Sequence, residues 1–540
     1  MSFNTFTAET IELTQDRATG SQGTTLAPAL TILFHSDSHR IGDRIILSDI
    51  AEGGSVAISR GEPGFTAPGE LWGDPLRDLS ISRKPFYLEP SPDGTLLLRR
   101  GGISTLIRAN GMDLGDQCCF SAEEVVHGVL LELSQRVVLL LHLLPVSCEE
   151  ETDRLGLVGD SLAMMRVRGE IHHLADQDLP VLLRGETGTG KEVVAHALHQ
   201  AGLRASRKLV SVNLGALVPE LAVSTLFGAV RGAYTGAVKG QDGYFRSAHG
   251  GTLFLDEIGE ASAEVQAMLL RVLETGELHM VGSQTPRQVD VRLIAATDAN
   301  LECRVDDGSF KAPLFHRLAG YEIHIPPLRE RRDDLGRLFI YFVRQELEKI
   351  SETRRLDVIG HKIPPWISSG LIVRLAQYHW PGNVRQLRNV VRQIVIASRG
   401  KKQLEASPKV EELLAARPPQ TTTEPLPPLP CPPLVSARRK PSTVTEEELV
   451  AAIQENQWNL MAAADGLHVS RTSLYALIKK SKLVRTAADI NPREIADCLR
   501  RHEGDANTVA AELGVSRRAL KRRLLNPDVA PLIEDIERIS

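Results

Sequence analysis

The tightest constraint on what this chain can fold into lies at residues 181–192. Three apolar residues, Val181, Leu182 and Leu183, lead into Gly185-Glu186-Thr187-Gly188-Thr189-Gly190-Lys191, with Glu192 following. A buried strand, a glycine-rich turn and a helix start in that order make a phosphate-cradling loop. The glycines let backbone N–H groups face an anion at the positive end of a helix, and Lys191 is placed to reach the β- and γ-phosphates. Glu192 stands where Ser or Thr usually helps to hold magnesium. Further on, Gly251 to Leu255 is an apolar strand that ends in Asp256 and Glu257. Asp256 is the candidate for holding Mg²⁺, directly or through water, and Glu257 for orienting and polarising the attacking water. The order strand, phosphate loop, acidic strand predicts an α/β nucleotide-hydrolysing core with ATP and Mg²⁺ as its ligands.

Between these motifs sits Gly232-Ala233-Tyr234-Thr235-Gly236-Ala237, a run without acid, base or nucleophile. Two glycines permit a tight exposed loop, and Tyr234 offers an amphipathic contact surface at its tip. Such a loop is suited to gripping a partner rather than to chemistry.

The 63 Lys and Arg against 68 Asp and Glu leave a formal charge of −5, so net charge implies no nucleic-acid partner and any basic surface must be local. The six cysteines (118, 119, 148, 303, 431, 498) show neither paired metal-ligand spacing nor a disulfide framework, which fits a reducing cytoplasm. The strongest apolar run, Val137 to Leu144, is too short to span a bilayer. No signal peptide is recognisable at the start of the sequence. The expectation is a cytoplasmic protein without a membrane partner.

The chain reads as several domains. Short apolar runs separated by turn signals such as Asp93-Gly94 and Asn110-Gly111 predict a β-sandwich over 25–147. Alternating strands and helices predict the α/β domain over 155–330, followed by a helical lid over 331–405. About half of Pro418 to Pro433 is proline, which predicts an extended linker over 406–441. The last hundred residues hold a repeat at a spacing of 46. Glu448-Leu449, Ala463-Ala464, Leu467 and Val469-Ser470-Arg471 return as Glu494-Ile495, Val509-Ala510, Leu513 and Val515-Ser516-Arg517. Each copy, 442–483 and 488–530, reads helix, turn, helix.

Residues 155 to 400 resemble the AAA+ domain of bacterial sigma-54-dependent transcription activators, the enhancer-binding proteins. The resemblance rests on Gly185 to Glu192, Leu226-Phe227-Gly228 leading into Gly232 to Ala237, Asp256-Glu257, Leu269-Leu270-Arg271-Val272-Leu273, Pro326 to Arg331, and Trp380-Pro381-Gly382-Asn383-Val384-Arg385. It implies that Gly232 to Ala237 contacts sigma-54 and couples ATP hydrolysis to remodelling of the closed promoter complex, with Tyr234 in place of the commoner Phe. It implies that Asn213 is the switch residue that hydrogen-bonds Glu257. Arg385 resembles the sensor arginine of the lid, and Arg317 a trans-acting arginine finger, which requires a ring and so implies a homo-oligomer, dimer to hexamer. Three positions depart from the pattern: Lys311 stands for a second arginine and lacks its bidentate fork, Asp298 replaces the frequent Asn of the first sensor, and Ala229-Val230 replace His-Glu before the loop.

Ser470-Arg471-Thr472 looks like the start of the recognition helix of a Fis-type helix-turn-helix. The second copy is more basic, with Ser516, Arg517, Arg518, Lys521 and Arg522. The serines are suited to N-capping and the residues after them to a helix start in the major groove, with cationic side chains further along on phosphates. The N-terminal sandwich resembles a forkhead-associated (FHA) domain, which reads phosphothreonine. Arg60, Ser82 and Arg83 are the candidate phosphate ligands. Pro85 stands where a histidine is usual, and Arg60 precedes its glycine instead of following it.

The whole predicts an ATP-driven transcription regulator that binds enhancer DNA and sigma-54 RNA polymerase holoenzyme and answers to a phosphothreonine protein. Two alternatives stay open: a DNA-binding regulator or repressor with weak or no ATP hydrolysis, and a protein-remodelling AAA+ chaperone, which the helix-turn-helix tail disfavours.

Overall fold

A computed structural model of the chain describes residues 26–70, 72–146, 153–233, 240–356 and 365–415, and 448–449, 492–502, 509 and 512 of the C-terminal part. The chain divides into two compact units, 1–419 and 420–540.

The first unit opens with two antiparallel sheets. Strands β1 (Leu26–Phe34), β2 (Arg44–Ile46), β6 (Ile107–Ala109), β7 (Met112–Asp113), β9 (Val129–Leu133) and β10 (Val137–Pro145) form one, in the order β2-β1-β10-β9-β6-β7. Strands β3 (Val56–Ile58), β4 (Phe86–Pro90), β5 (Leu96–Arg99) and β8 (Gln117–Phe120) form the other, in that order. Helix α1 (Ala122–His127) follows β8, capped at Ser121 by a reciprocal bond with Glu124.

Side chains alternate across a strand, and the alternation explains the apolar run of β10. Val137, Leu139 and Leu141 enter the sandwich core together with Val129, Leu131 and Leu133 of β9. Their neighbours Leu130, Val138 and Leu140 join a second core with Leu335, Phe339 and Leu371 of the helical lid. This sheet is therefore covered on both faces, and a strand covered on both faces reads as a continuous apolar run instead of an alternating one. Polar contacts lock the same seam. Ser369 Oγ donates to Glu132 Oε1 at 2.5 Å, and Arg332 Nη1 donates to the carbonyls of His127 and Gly128 at 2.6 and 3.1 Å.

The central domain is a parallel five-stranded sheet. Its strands β11 (Val181–Arg184), β12 (Leu209–Asn213), β13 (Thr252–Asp256), β16 (Arg292–Thr297) and β17 (Tyr321–His324) lie in the order β12-β13-β16-β11-β17. The strands are apolar on both faces because helices cover both. On one side Val181 and Leu183 pack with α2 (Leu162–Leu174) and α3 (Lys191–Ala201). On the other, Leu182, Leu253 and Leu255 pack with α4 (Pro219–Phe227), α5 (Ala263–Thr275) and α6 (Ala312–Leu318). Between α5 and β16 a two-stranded ribbon pairs β14 (Glu277–Leu278) with β15 (Arg287–Gln288).

The lid comprises α7 (Leu335–Lys349), α8 (Ser369–Gln377), α9 (Asn383–Ala397) and α10 (Pro408–Ala415). Trp380, 1% exposed, anchors it by donating Nε1–H to the carbonyl of Leu375. Helix α10 occupies the first residues of the segment expected as a linker. Val410 is buried in the lid core and Arg374 forms a two-pronged pair with Glu411, so order extends beyond the predicted boundary at 405. In the second unit the described helix is α11 (Pro492–Arg501). Among the described residues no helix is long and apolar enough to cross a membrane.

Candidate active site

The phosphate loop leaves the carboxyl end of β11, the edge at which open parallel sheets bind ligands. Gly188 (φ +81°) and Gly190 (φ +109°) take left-handed conformations that favour glycine. A side chain at Gly188 would collide with the carbonyl of Gly382 and with Arg385, so the loop closes tightly against the lid. Lys191 opens α3, and its ammonium donates to the carbonyls of Gly185 and Glu186 at 2.7 and 3.2 Å. Burial pushes its pKa down, while Asp298, Asp256 and Glu257 push it the other way. Glu192 follows on the exposed side of the first helical turn.

Asp256 ends β13, and Glu257 follows it at the start of a short helical turn. The Glu257 N–H donates to Asp256 Oδ1 at 3.0 Å, and Glu257 itself adopts φ +56°. Asn213 lies level with Asp256 on the neighbouring strand. Its Oδ1 accepts from the Ala216 N–H at 3.1 Å and caps a short helical turn, and the expected bond, which Nδ2 would donate to the Glu257 carboxylate, is not formed. The Glu257 carboxylate lies instead against Gly215, where a side chain would strike Oε2.

Asp298 reaches the loop from the end of β16. It accepts from Thr187 Oγ1 at 2.5 Å, and this bond, aided by the Lys191 ammonium, holds its carboxyl below the usual range. Arg385 enters from α9, with its backbone N–H on the Gly188 carbonyl at 3.2 Å. Lys191, Glu192, Asp256, Glu257, Asp298 and Arg385 all line one cleft of about 610 Å³ between the sheet edge and the lid. The cleft also has apolar lining from Leu157, Val158, Leu338 and Phe342. A glycine cradle, a buried ammonium and a pair of carboxylates make a donor set that fits a nucleotide triphosphate and its Mg²⁺.

Arg317 and Lys311 lie outside this cleft. Arg317 donates from Nε and Nη2 to the carbonyl of Leu273, both at 3.2 Å, and Lys311 is exposed at the start of α6. Neither serves the site of its own chain.

A network beside the loop escaped sequence reading. Glu186 accepts from Arg329 at 2.6 and 2.8 Å and from Asn383 Nδ2 at 3.0 Å. Asn383 also donates to the Thr187 carbonyl at 3.1 Å and accepts the Leu328 N–H at 2.8 Å. The signal was present: both partners lie in the motifs Pro326 to Arg331 and Trp380 to Arg385, which no assigned role accounts for beyond Arg385.

Of the expected partner loop, Gly232 and Ala233 are described, while Tyr234, Thr235, Gly236 and Ala237 lie outside the described residues. The loop base is tied to the ribbon region: Val230 N–H donates to the Val281 carbonyl, and a side chain at Gly282 would meet Ala233 and Val230. In the sandwich, the structure brings the candidate phosphate ligands together. Arg60 N–H donates to the Ser82 carbonyl at 3.1 Å, beside exposed Arg83, while Ser82 Oγ accepts from the Lys84 N–H at 2.9 Å. The expected DNA contacts Ser470, Arg471, Thr472, Ser516, Arg517, Arg518, Lys521 and Arg522 lie outside the described residues.

Comparison with known proteins agrees with the cleft. Residues 157–324 match the Sigma-54 interaction domain, and residues 329–425 match the AAA+ ATPase lid domain. The chain is 36% identical over 392 residues to the anaerobic nitric oxide reductase transcription regulator NorR of Klebsiella pneumoniae, covering 70% of this chain and 74% of that protein. It is 41% identical over 319 residues to the nitric oxide reductase transcription regulator NorR1 of Cupriavidus necator, covering 59% of this chain and 60% of that protein. Among solved structures it is similar to NtrX from Brucella abortus in complex with ADP, at 30% identity and TM-score 0.41, covering 61% of this chain and 69% of that one. The chain belongs to the sigma-54-dependent family of transcription regulators, and its central domain is an AAA+ ATPase.

Proposed function

We propose that this chain hydrolyses ATP to remodel a sigma-54 RNA polymerase closed complex at promoters served by an upstream enhancer, in the bacterial cytoplasm. The observation that supports this most is the convergence of Lys191, Asp256, Glu257 and Arg385 on one cleft whose wall is the lid. Lys191 and the loop N–H groups bind the phosphates, and Arg385 senses them from the lid. Glu257 orients the attacking water and takes up its proton. A magnesium ion held by Asp256 would neutralise charge building up on the phosphates. Arg317 and Lys311, which lie outside their own cleft, act on the cleft of the neighbouring subunit in a ring. The loop at Gly232 to Ala237 touches sigma-54, and its base on the ribbon carries the state of the nucleotide to it.

The tandem helical modules bind enhancer DNA. The sandwich reads a phosphothreonine protein through Arg60, Ser82 and Arg83, and it passes the signal through its seam with the lid, where Leu130, Val138 and Leu140 pack. Open-complex formation by purified sigma-54 holoenzyme on an enhancer template tests the reading. Promoter melting that requires this protein, ATP and magnesium is expected. ATP turnover without melting supports the repressor alternative, and the absence of both activities overturns the proposal.

A further inference from the structure

Within the second unit, the second helical module holds a cluster that the proposed function does not use. Cys498, His502 and Glu512 bring a thiol sulfur, an imidazole nitrogen and a carboxylate oxygen within 4.8 Å of one another, the one such trio among the described residues. Cys498 lies on α11, and His502 follows its last residue, closing the final turn by donating its N–H to the Cys498 carbonyl at 3.2 Å. The two are thus four residues apart on one face. Glu512 comes from later in the module, and its two oxygens have different partners. Oε1 accepts from Arg501 Nη1 at 2.7 Å, while Oε2 meets His502 Nε2.

We propose that Cys498 Sγ, His502 Nε2 and Glu512 Oε2 form a zinc site, with water as the fourth ligand. A soft thiolate, an imidazole and one carboxylate oxygen suit zinc over magnesium or calcium. Zinc–ligand bonds of about 2.0–2.3 Å place neighbouring ligand atoms under about 4 Å apart, so an ion would enter by parting the His502–Glu512 hydrogen bond and drawing Cys498 Sγ in by a small movement. Arg501 on the other oxygen is the outer partner that fixes a coordinating carboxylate in a one-pronged pose. Binding releases the Cys498 proton to solvent.

The repeat supplies an independent argument. At the spacing of 46, the first copy has Ala452, Asn456 and Gly466 where the second has Cys498, His502 and Glu512. Apolar positions persist between copies, and Leu449 and its counterpart Ile495 are both buried. All three ligand types appear together in one copy and vanish together in the other, so they are not required by the shared fold. A module of this size buries too little apolar surface to be very stable alone, and a metal tying α11 to the later helical segment would stabilise it.

Zinc titration of the full-length, chelator-stripped protein, followed by cobalt substitution, tests this. One zinc per chain retained through desalting is expected, and a cobalt form with a thiolate charge-transfer band and tetrahedral visible bands. Cys498→Ala should abolish that band. Because Cys498 is buried, His502→Gln at a less buried position serves as the second variant. It should weaken zinc at least about a hundredfold, against about tenfold for Arg501→Ala as an outer partner. No retained zinc, or a cobalt band that survives both Cys498→Ala and His502→Gln, would overturn the site.

Discussion

Glu186 of the phosphate loop and Arg329 of the segment leading into the lid form a two-pronged pair, at 2.6 and 2.8 Å, and Asn383 completes it from the start of α9. The loop that holds phosphate and the lid beside it are thereby joined directly. The Arg329 hydrogen bond is the main cause that holds the Glu186 carboxyl below its usual range.

The members of this network differ in weight. Glu186 and Arg329 are partly exposed, so Arg329→Ala should cost under about 1 kcal/mol of stability. Asn383 is fully buried, and its loss strands the Leu328 N–H, which costs about 1–3 kcal/mol. Its φ of +50° adds strain for alanine. Urea denaturation should therefore rank Asn383→Ala well below Arg329→Ala; equal midpoints would deny Asn383 its part.

Asp298 sets a carboxylate beside the loop, 2.5 Å from Thr187 Oγ1. An ionised group there repels the phosphates that Lys191 attracts. Asp298→Asn keeps the hydrogen bond and removes the charge. A like-charge term on the order of 1 kcal/mol corresponds to about fivefold tighter ATP binding. Fluorescent-nucleotide titration measures it, and unchanged or weaker binding would show that the charge is already neutralised by its neighbours.

His35 makes the seam region sensitive to pH. It is buried, Nε2 faces the Leu76 carbonyl at 2.9 Å and Nδ1 accepts the Asp37 N–H at 3.0 Å, so the neutral ring with hydrogen on Nε2 satisfies both. Burial chiefly, with help from Arg40, lowers its pKa. A histidine with a lowered folded pKa contributes stability above its unfolded value of about 6.5, lost as pH falls through the folded value. Thermal midpoints should drop below about pH 6.5, and His35→Gln should flatten that slope; a slope identical in the variant would place the titration elsewhere.

The nucleotide site was legible because its chemistry is local. Gly185 to Lys191 and Asp256-Glu257 are contiguous runs whose strand and helix context can be read along the chain, and in the structure Thr187 to Lys191, Asp256 and Glu257 line one cleft. The partners of Glu186 were not legible, because Arg329 and Asn383 approach it from more than a hundred residues away. The two-faced burial of β10 was hidden for a related reason. A run such as Val137 to Leu144 shows that both faces are covered, but not by what, and the cover is Leu335, Phe339 and Leu371. Asn213 shows a different limit: the resemblance implies a bond to Glu257, while in the structure its side chain caps the turn at Ala216.

The seam gives a further expectation. Leu140, 2% exposed, faces the lid core and not the sandwich core. Leu140→Ala should cost about 2–5 kcal/mol at that interface. Calorimetry should then resolve the sandwich from the ATPase domain as separate transitions, whereas Leu139→Ala, on the other face, should destabilise the sandwich itself. The same single transition for both would mean that the domains do not melt as distinct units.

The proposed function couples ATP hydrolysis in the cleft to sigma-54 through the loop at Gly232 to Ala237. Parallel measurement of ATP turnover and open-complex formation by Tyr234→Ala tests it most directly. Turnover close to that of the unaltered protein with promoter melting abolished is the predicted result; melting that persists without the ring at Tyr234 would contradict it.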